Sequence, residues 1–200
     1  AMVRYTDFLM GRLTEALEEM GARENTLLIF TSDNGTVRSM VGHIGNRSVP
    51  GGKAKTIEPG VNIPFIANWP DTIPGGRVSD ALVDFTDIIP TFADIAGQAV
   101  PEKDKVDGSS VAPYLRGEAD HVDRDWILAM GGQNNAMVSD CGVENEWYFR
   151  DRVVRDKHYK LYIGTDRKPQ KLIDLVADPE ERTDITGSEN EAALASRKRF

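Results

Sequence analysis

The chain has 200 residues, 40% of them hydrophobic, a composition that supports a packed core in one domain or in one domain with a small appended unit. Its 32 acidic residues against 24 basic ones give a formal net charge of −8, which lacks the electrostatic footprint expected of a nucleic-acid or anionic-membrane binder. No stretch approaches the roughly 18 uninterrupted apolar residues of a membrane span, the single cysteine, Cys141, allows no internal disulfide, and His43, His121 and His158 have no spacing suited to zinc.

From Tyr5 to Met20 the apolar residues Phe8, Leu9, Leu13, Ala16, Leu17 and Met20 recur at three- and four-residue steps, and Gly21 follows as a stop. This spacing predicts an amphipathic helix. The chain enters that helix with no lead-in, as expected of a piece of a longer polypeptide. Thr26 to Thr31 is an unbroken apolar run, the pattern of a strand covered on both faces, so helix followed by strand points to a parallel α/β sheet.

Residues 32–60 are rich in glycine and small polar side chains and read as one long loop leaving the strand's carboxyl end. Long irregular connections in compact domains are commonly functional, and ligands of open α/β sheets bind at strand carboxyl ends. Ile63 to Asn68 reads as a second strand, with Pro64 at its beginning or on an edge. Thr86 to Ala96 reads as a second helix, with Ile88, Ile89, Phe92, Ile95 and Ala96 on one face and Gly97 after its end. Residues 98–120 form a polar connector. Beyond residue 121 come short segments, Trp126 to Met130, Glu146 to Arg150, Val153-Val154, Tyr159 to Ile163 and Leu172 to Leu175, which read as a small antiparallel sheet. The charged, alanine-rich tail from Ser188 reads as a terminal helix or a frayed end.

Two motifs in the long loop carry chemistry. Asp33-Asn34-Gly35 suits a tight turn, and equally presents a carboxylate and an amide carbonyl, hard oxygen donors for calcium or magnesium. Gly51-Gly52-Lys53-Ala54-Lys55 is a glycine-flanked basic pair, followed by Glu58 and Gly60; its lysines are either solvated loop charges or, for Lys53, a compact cation aimed at an anionic group. His43 lies between the motifs as a weaker candidate, a proton donor to a leaving group or an unliganded surface histidine. Cys141 has no basic residue close in sequence to stabilise a thiolate and reads as structural.

The order of these motifs resembles the sulfatase family of the alkaline-phosphatase superfamily, arylsulfatases in particular. Thr31-Ser32-Asp33-Asn34-Gly35 is similar to the family's metal-binding strand end. Gly51-Gly52-Lys53, then Glu58, Gly60, Val61, Pro64, Phe65, Ile66, Trp69 and Pro70, resembles its second signature. Asp84 to Gly97 looks like the helix after that signature. Asp107-Gly108-Ser109, Leu115-Arg116-Gly117, Lys157 with Tyr159-Lys160-Leu161, and Leu172 through Asp178-Pro179 and Glu181 look like later landmarks. Pro59 stands where the family usually has glycine, and Asn62 where it often has arginine.

The resemblance implies an α/β fold. Residues 1–120 would be the C-terminal part of the sulfatase α/β domain, an alkaline-phosphatase-like sheet with helices, and residues 121–200 a small C-terminal subdomain with an antiparallel sheet. It implies sulfate-ester hydrolysis, with Asp33 and Asn34 as ligands of Ca2+ or Mg2+ and Lys53 stabilising charge on the sulfate. The family's formylglycine nucleophile arises from a cysteine in a Cys-x-Pro/Ala-x-Arg context, which Cys141 lacks, so the chain is expected to be inactive alone; with the strand Leu27 to Phe30 expected to lack neighbours supplied by the family's first half, it is also expected to self-associate. A phosphodiesterase or phosphonate hydrolase of the same superfamily and a non-catalytic assembly module are the competing expectations.

Overall fold

The structure, a computed structural model, describes residues 2–100, 105–131, 136–145 and 149–200. They fall into two compact units. The first comprises residues 1–31, 64–79 and 85–122; the second comprises residues 32–63, 80–84 and 123–200, so the glycine-rich segment after the first strand belongs with the C-terminal sheet.

The first unit begins with helix α1 (Met2–Glu19). Gly21 takes the left-handed conformation at φ +63, and the Gly21 and Ala22 amides donate back to the Glu18 and Leu17 carbonyls, closing the helix as its glycine predicted. Its apolar stripe is not buried within the described chain: Tyr5, Phe8, Leu9, Leu13 and Met20 are all exposed. Strand β1 (Leu28–Thr31) follows, half-buried along its length rather than covered on both faces.

The expectation of a parallel sheet is corrected here. In sequence order, the strands after β1 are β2 (Val41–Ile44), β3 (Arg47–Pro50) and, after the short helix α2 (Glu58–Val61), β4 (Phe65–Asn68). Within the first unit β1 pairs with β4, and the pairing is antiparallel, running from Leu28 opposite Asn68 to Thr31 opposite Phe65. A run of apolar residues records that a strand is buried but not the direction of its neighbour. The buried Arg23 donates to the Asn68 side chain, and the Trp69 indole donates to the Glu24 carbonyl at 2.8 Å, tying the entry of β1 to the exit of β4.

Helix α3 (Ile88–Ile95) continues a 3-10 turn over Phe85–Asp87. Its buried residues are Pro90 and Thr91, whereas Ile89 and Phe92, assigned to the core face by periodicity, are exposed. Hydrogen bonds decide the buried side: Thr91 Oγ1 accepts from the Val111 amide at 3.0 Å, and the Asp87 carboxylate accepts from the Ser109 amide at 2.9 Å. Gly108 lies so close that a Cβ there would stand 1.9 Å from the Thr86 carbonyl oxygen. The Asp107-Gly108-Ser109 motif therefore fastens the connector to α3 and delivers it into α4 (Ala112–Arg116).

In the second unit, residues 32–60 are not one irregular loop. They contain the exposed hairpin β2–β3, turned by Gly45 at φ +58 and Asn46, and they lead into α2. Neither strand has a buried face to impose alternation, so the hairpin leaves no periodic pattern in the sequence. The C-terminal sheet is antiparallel, as expected, in the order β10-β9-β8-β5, formed by β5 (Ile127–Met130), β8 (Arg152–Arg155), β9 (Tyr159–Ile163) and β10 (Pro169–Asp174). A further hairpin, β6 (Ala136–Ser139) with β7 (Gly142–Asn145), was not anticipated. Cys141 sits at its turn and is exposed, which corrects the structural reading of that thiol. Residues 146–148 of the expected segment Glu146 to Arg150 lie outside the described residues, as does Pro101 in the connector.

The core of this unit is built by Tyr159, Leu161, Leu172 and Ala193, packed by Ile163, Ile185 and Phe200. Ala193 comes from helix α5 (Glu191–Arg199), the tail helix, whose Asn190 side chain accepts from the Ala192 and Ala193 amides as an N-cap. Asp156 locks α5 to the sheet. Its carboxylate accepts from the His158 and Tyr159 amides at 2.7 and 2.6 Å, from Ser196 Oγ at 2.8 Å, and from Arg199. Burial by itself would raise the Asp156 pKa, but these donors outweigh it and hold the carboxyl below its usual range. Among the described residues, no helix is long and apolar enough to cross a membrane.

Candidate functional site

Asp33 and Asn34 stand just beyond the end of β1, Asp33 exposed and Asn34 partly buried, with the Asn34 amide donating to the Asp33 carboxylate. Lys53 and Lys55 are both exposed, and among the described residues neither has a carboxylate within ion-pair distance. What brings the two motifs together is backbone packed on backbone at four glycines. A Cβ on Gly35 would lie 1.9 Å from the Pro59 carbonyl oxygen, and one on Gly52 would lie 2.5 Å from the Gly60 nitrogen. One on Gly60 would lie 2.4 Å from the Gly52 oxygen, and one on Gly51 2.0 Å from the Val37 oxygen. No side chain fits at these points, so glycine is a steric requirement.

Hydrogen bonds run through the same contact. The Gly35 amide donates to the Gly60 carbonyl at 2.9 Å, and the Lys53 amide donates to the Thr36 carbonyl at 2.9 Å. The Lys53 carbonyl in turn accepts from Arg38 Nε at 2.8 Å. Asp33-Asn34 and Lys53 are thus each one or two residues from a shared, rigid backbone junction. Between the lysines, Ala54 is held at φ 66, a left-handed conformation costly for a residue with a Cβ. His43 lies on the exposed hairpin, opposite Ser48.

As a cation site, Asp33 and Asn34 have suitable donor chemistry: hard carboxylate and amide oxygens. They amount to part of a set, since calcium takes roughly six to eight oxygens. Among the described residues, no group of three or more His, Cys, Asp or Glu side chains is gathered to hold a metal. Lys53 fits an anion better than a cation, being an unpaired ammonium on a short, glycine-fixed loop.

Sequence reasoning missed two parts of this region. Arg38, which braces Lys53, carries no motif. The second part is a buried ionic cluster beneath α2. Lys160 Nζ, fully buried on β9, lies 3.0 Å from Glu58 Oε1 and 2.8 Å from Glu181 Oε1. Arg155 Nη1 lies 2.7 Å from Glu58 Oε2. Tyr162 donates to Glu181 Oε1 at 2.6 Å, and burial together with that carboxylate pushes its phenol well above its ordinary pKa. Lys160 and Glu181 both fall in segments that carry the family resemblance, but residues 102 and 123 positions from Glu58 give no sequence signal of contact with it.

Comparison with known proteins identifies the family. Residues 1–98 match the family model described as Sulfatase, and residues 53–199 match that described as N-sulphoglucosamine sulphohydrolase, C-terminal. The chain is 30% identical to a steryl-sulfatase of Mus musculus over 92% of its own length and 33% of that protein's. Among solved structures it resembles one in complex with its substrate D-glucosamine-2-N,6-O-disulfate, with TM-score 0.71 and 27% identity, covering 98% of this chain and 36% of the other. It also resembles a phosphonate monoester hydrolase of Agrobacterium radiobacter, with TM-score 0.74 and 25% identity, covering 99% and 38%. The chain spans about a third of the length of the curated relatives it matches. With family models matched along almost its whole length, this chain belongs to the sulfatase family of the alkaline-phosphatase superfamily, of whose fold it represents a part.

Proposed function

We propose that the complete polypeptide hydrolyses sulfate esters and that this chain supplies one side of the active site. The observation that carries the reading is the glycine junction, which fixes a strand-end pair of oxygen donors and a solvent-facing lysine to one backbone scaffold. Lys53 donates to a sulfate oxygen and stabilises the negative charge that grows there in the transition state. Its loop is set before substrate arrives, so little reorganisation is needed as that charge develops. Asp33 and Asn34 contribute oxygens to a divalent cation, calcium or magnesium, which when bound neutralises sulfate oxygens and favours the ionised nucleophile. The nucleophile, a formylglycine, is contributed from outside this chain, because Cys141 is followed by Gly142-Val143-Glu144-Asn145 and lies on a separate hairpin of the second unit.

The test is release of inorganic sulfate from an aryl sulfate by the complete polypeptide, alongside a phosphonate monoester as competitor substrate. Preferential turnover of the phosphonate would favour the second reading, a phosphonate hydrolase, which the likeness to the Agrobacterium enzyme supports. The third, a non-catalytic assembly module, would be favoured by loss of neither activity nor cation affinity in Lys53→Ala and Asp33→Ala.

A further inference from the structure

The buried ionic cluster under α2 is more than a fold staple, and three features set it apart. Lys160 is fully buried, and a buried lysine is tolerated only when it is paired. It faces two carboxylates, Glu58 and Glu181, and with Arg155 the four charges balance. Glu181 adopts φ 57, an uncommon left-handed conformation for a residue with a side chain, and its second oxygen accepts from the Glu58 amide at 2.7 Å. Glu58 is therefore gripped at its backbone and at both side-chain oxygens.

Glu58 is the first residue of α2, and Gly60, two residues on, is the glycine that meets both Gly52 and the Gly35 amide. We propose that Lys160 and Glu181 are positioning residues that act through Glu58 to hold the glycine junction, and so fix Lys53 relative to Asp33 and Asn34. What is positioned rests on the sulfatase reading; that it is positioned does not. A cluster of this kind costs desolvation, and an apolar core of similar volume is often as stable, so the role assigned to it is the single geometry it enforces rather than added stability.

The test is amide hydrogen exchange on the complete polypeptide, read residue by residue within this segment, for Glu58→Gln and Lys160→Met. In Glu58→Gln, which keeps the side chain's shape and removes its charge, the Gly35 and Lys53 amides should exchange roughly 10- to 100-fold faster, the loss expected for charge-assisted hydrogen bonds. Amides of β9 and β10 should stay within about twofold. Uniform acceleration across the second unit would reduce the cluster to a general staple, and unchanged rates at Gly35 and Lys53 would show that it holds nothing there; either overturns the proposal. Should Lys160→Met fail to fold, Glu58→Gln decides alone. The measurement needs no substrate, so it stands whatever reaction the complete polypeptide performs. A complete polypeptide that hydrolyses sulfate esters with kcat unchanged by Glu58→Gln would refute positioning and leave the sulfatase reading intact.

Discussion

Replacing Gly35 by alanine tests the junction at its tightest point. The added Cβ would lie 1.9 Å from the Pro59 carbonyl oxygen and 2.8 Å from the Gly60 Cα, where ordinary van der Waals contact begins at 3.4 Å. Both neighbours are backbone, so the strand exit and α2 must separate by about 1.5 Å, a displacement too large for the 2.9 Å bond from the Gly35 amide to the Gly60 carbonyl to survive. Losing that bond costs about 1 kcal/mol, or more if the Gly60 carbonyl stays dry, and overpacking adds roughly 1–3 kcal/mol. Urea unfolding should therefore show a loss of about 2–4 kcal/mol, with an unchanged slope. In the complete polypeptide the same displacement should lower turnover of an aryl sulfate by roughly 100-fold, the penalty of a misplacement near 1 Å. Gly75→Ala, which meets nothing within 4 Å, is the control and should change neither quantity appreciably. A Gly35→Ala protein as stable and as active as its parent would refute the claim that this contact builds the site.

Gly11→Ala, in the middle of α1 with open space around it, should stabilise the chain by about 0.5–1 kcal/mol in the same unfolding assay. Ala54→Gly should relieve the left-handed strain between the two lysines, a gain of about 1 kcal/mol. For Asp156 the folded pKa lies below the unfolded value near 3.8, so its contribution is fully present above about pH 4 and is lost as pH falls through the folded value. The stability gap between the parent and Asp156→Asn, measured by urea unfolding, should therefore be wide at pH 7 and narrow progressively below pH 4. The 200-residue chain alone, with Tyr5, Phe8, Leu9 and Leu13 exposed along α1, should self-associate; a monodisperse monomer by light scattering across a wide concentration range would contradict this.

The sequence made legible those features that depend on local periodicity and on single-residue geometry. Phe8, Leu9, Leu13 and Leu17 at helical spacing gave α1, and Gly21 its end, because both signals are written within one turn of helix. The alternation of the C-terminal segments gave three of the sheet's strands with little error. The direction of the β1 neighbour stayed hidden because β4 lies more than 30 residues away and an apolar run carries no polarity of pairing. Helix α3 turned a different side inward than its apolar residues suggested, because Asp87 and Thr91 had hydrogen bonds to make with Ser109 and Val111.

In the candidate site, Asp33 and Asn34, just before Gly35, and Lys53, just after Gly51-Gly52, were visible as residue types beside glycines, and the resemblance singled them out. Their convergence depended on Gly35, Gly52 and Gly60 touching through bare backbone, a contact that leaves no hydrophobic pattern. Lys160 was the least legible of all. A lysine flanked by Tyr159 and Leu161 reads as the solvent side of a strand, and only the two carboxylates waiting inside make its burial possible.

The most direct test of the account compares Lys53→Ala with Lys55→Ala in the complete polypeptide, measuring kcat/KM for an aryl sulfate. Both lysines are exposed and only two residues apart, so the loss of one positive charge from the same loop is common to the two variants. If Lys53 stabilises the transition state, its loss should cost roughly 100- to 1,000-fold, while Lys55→Ala should cost far less. Equal losses at the two positions, or no loss at Lys53, would contradict the account.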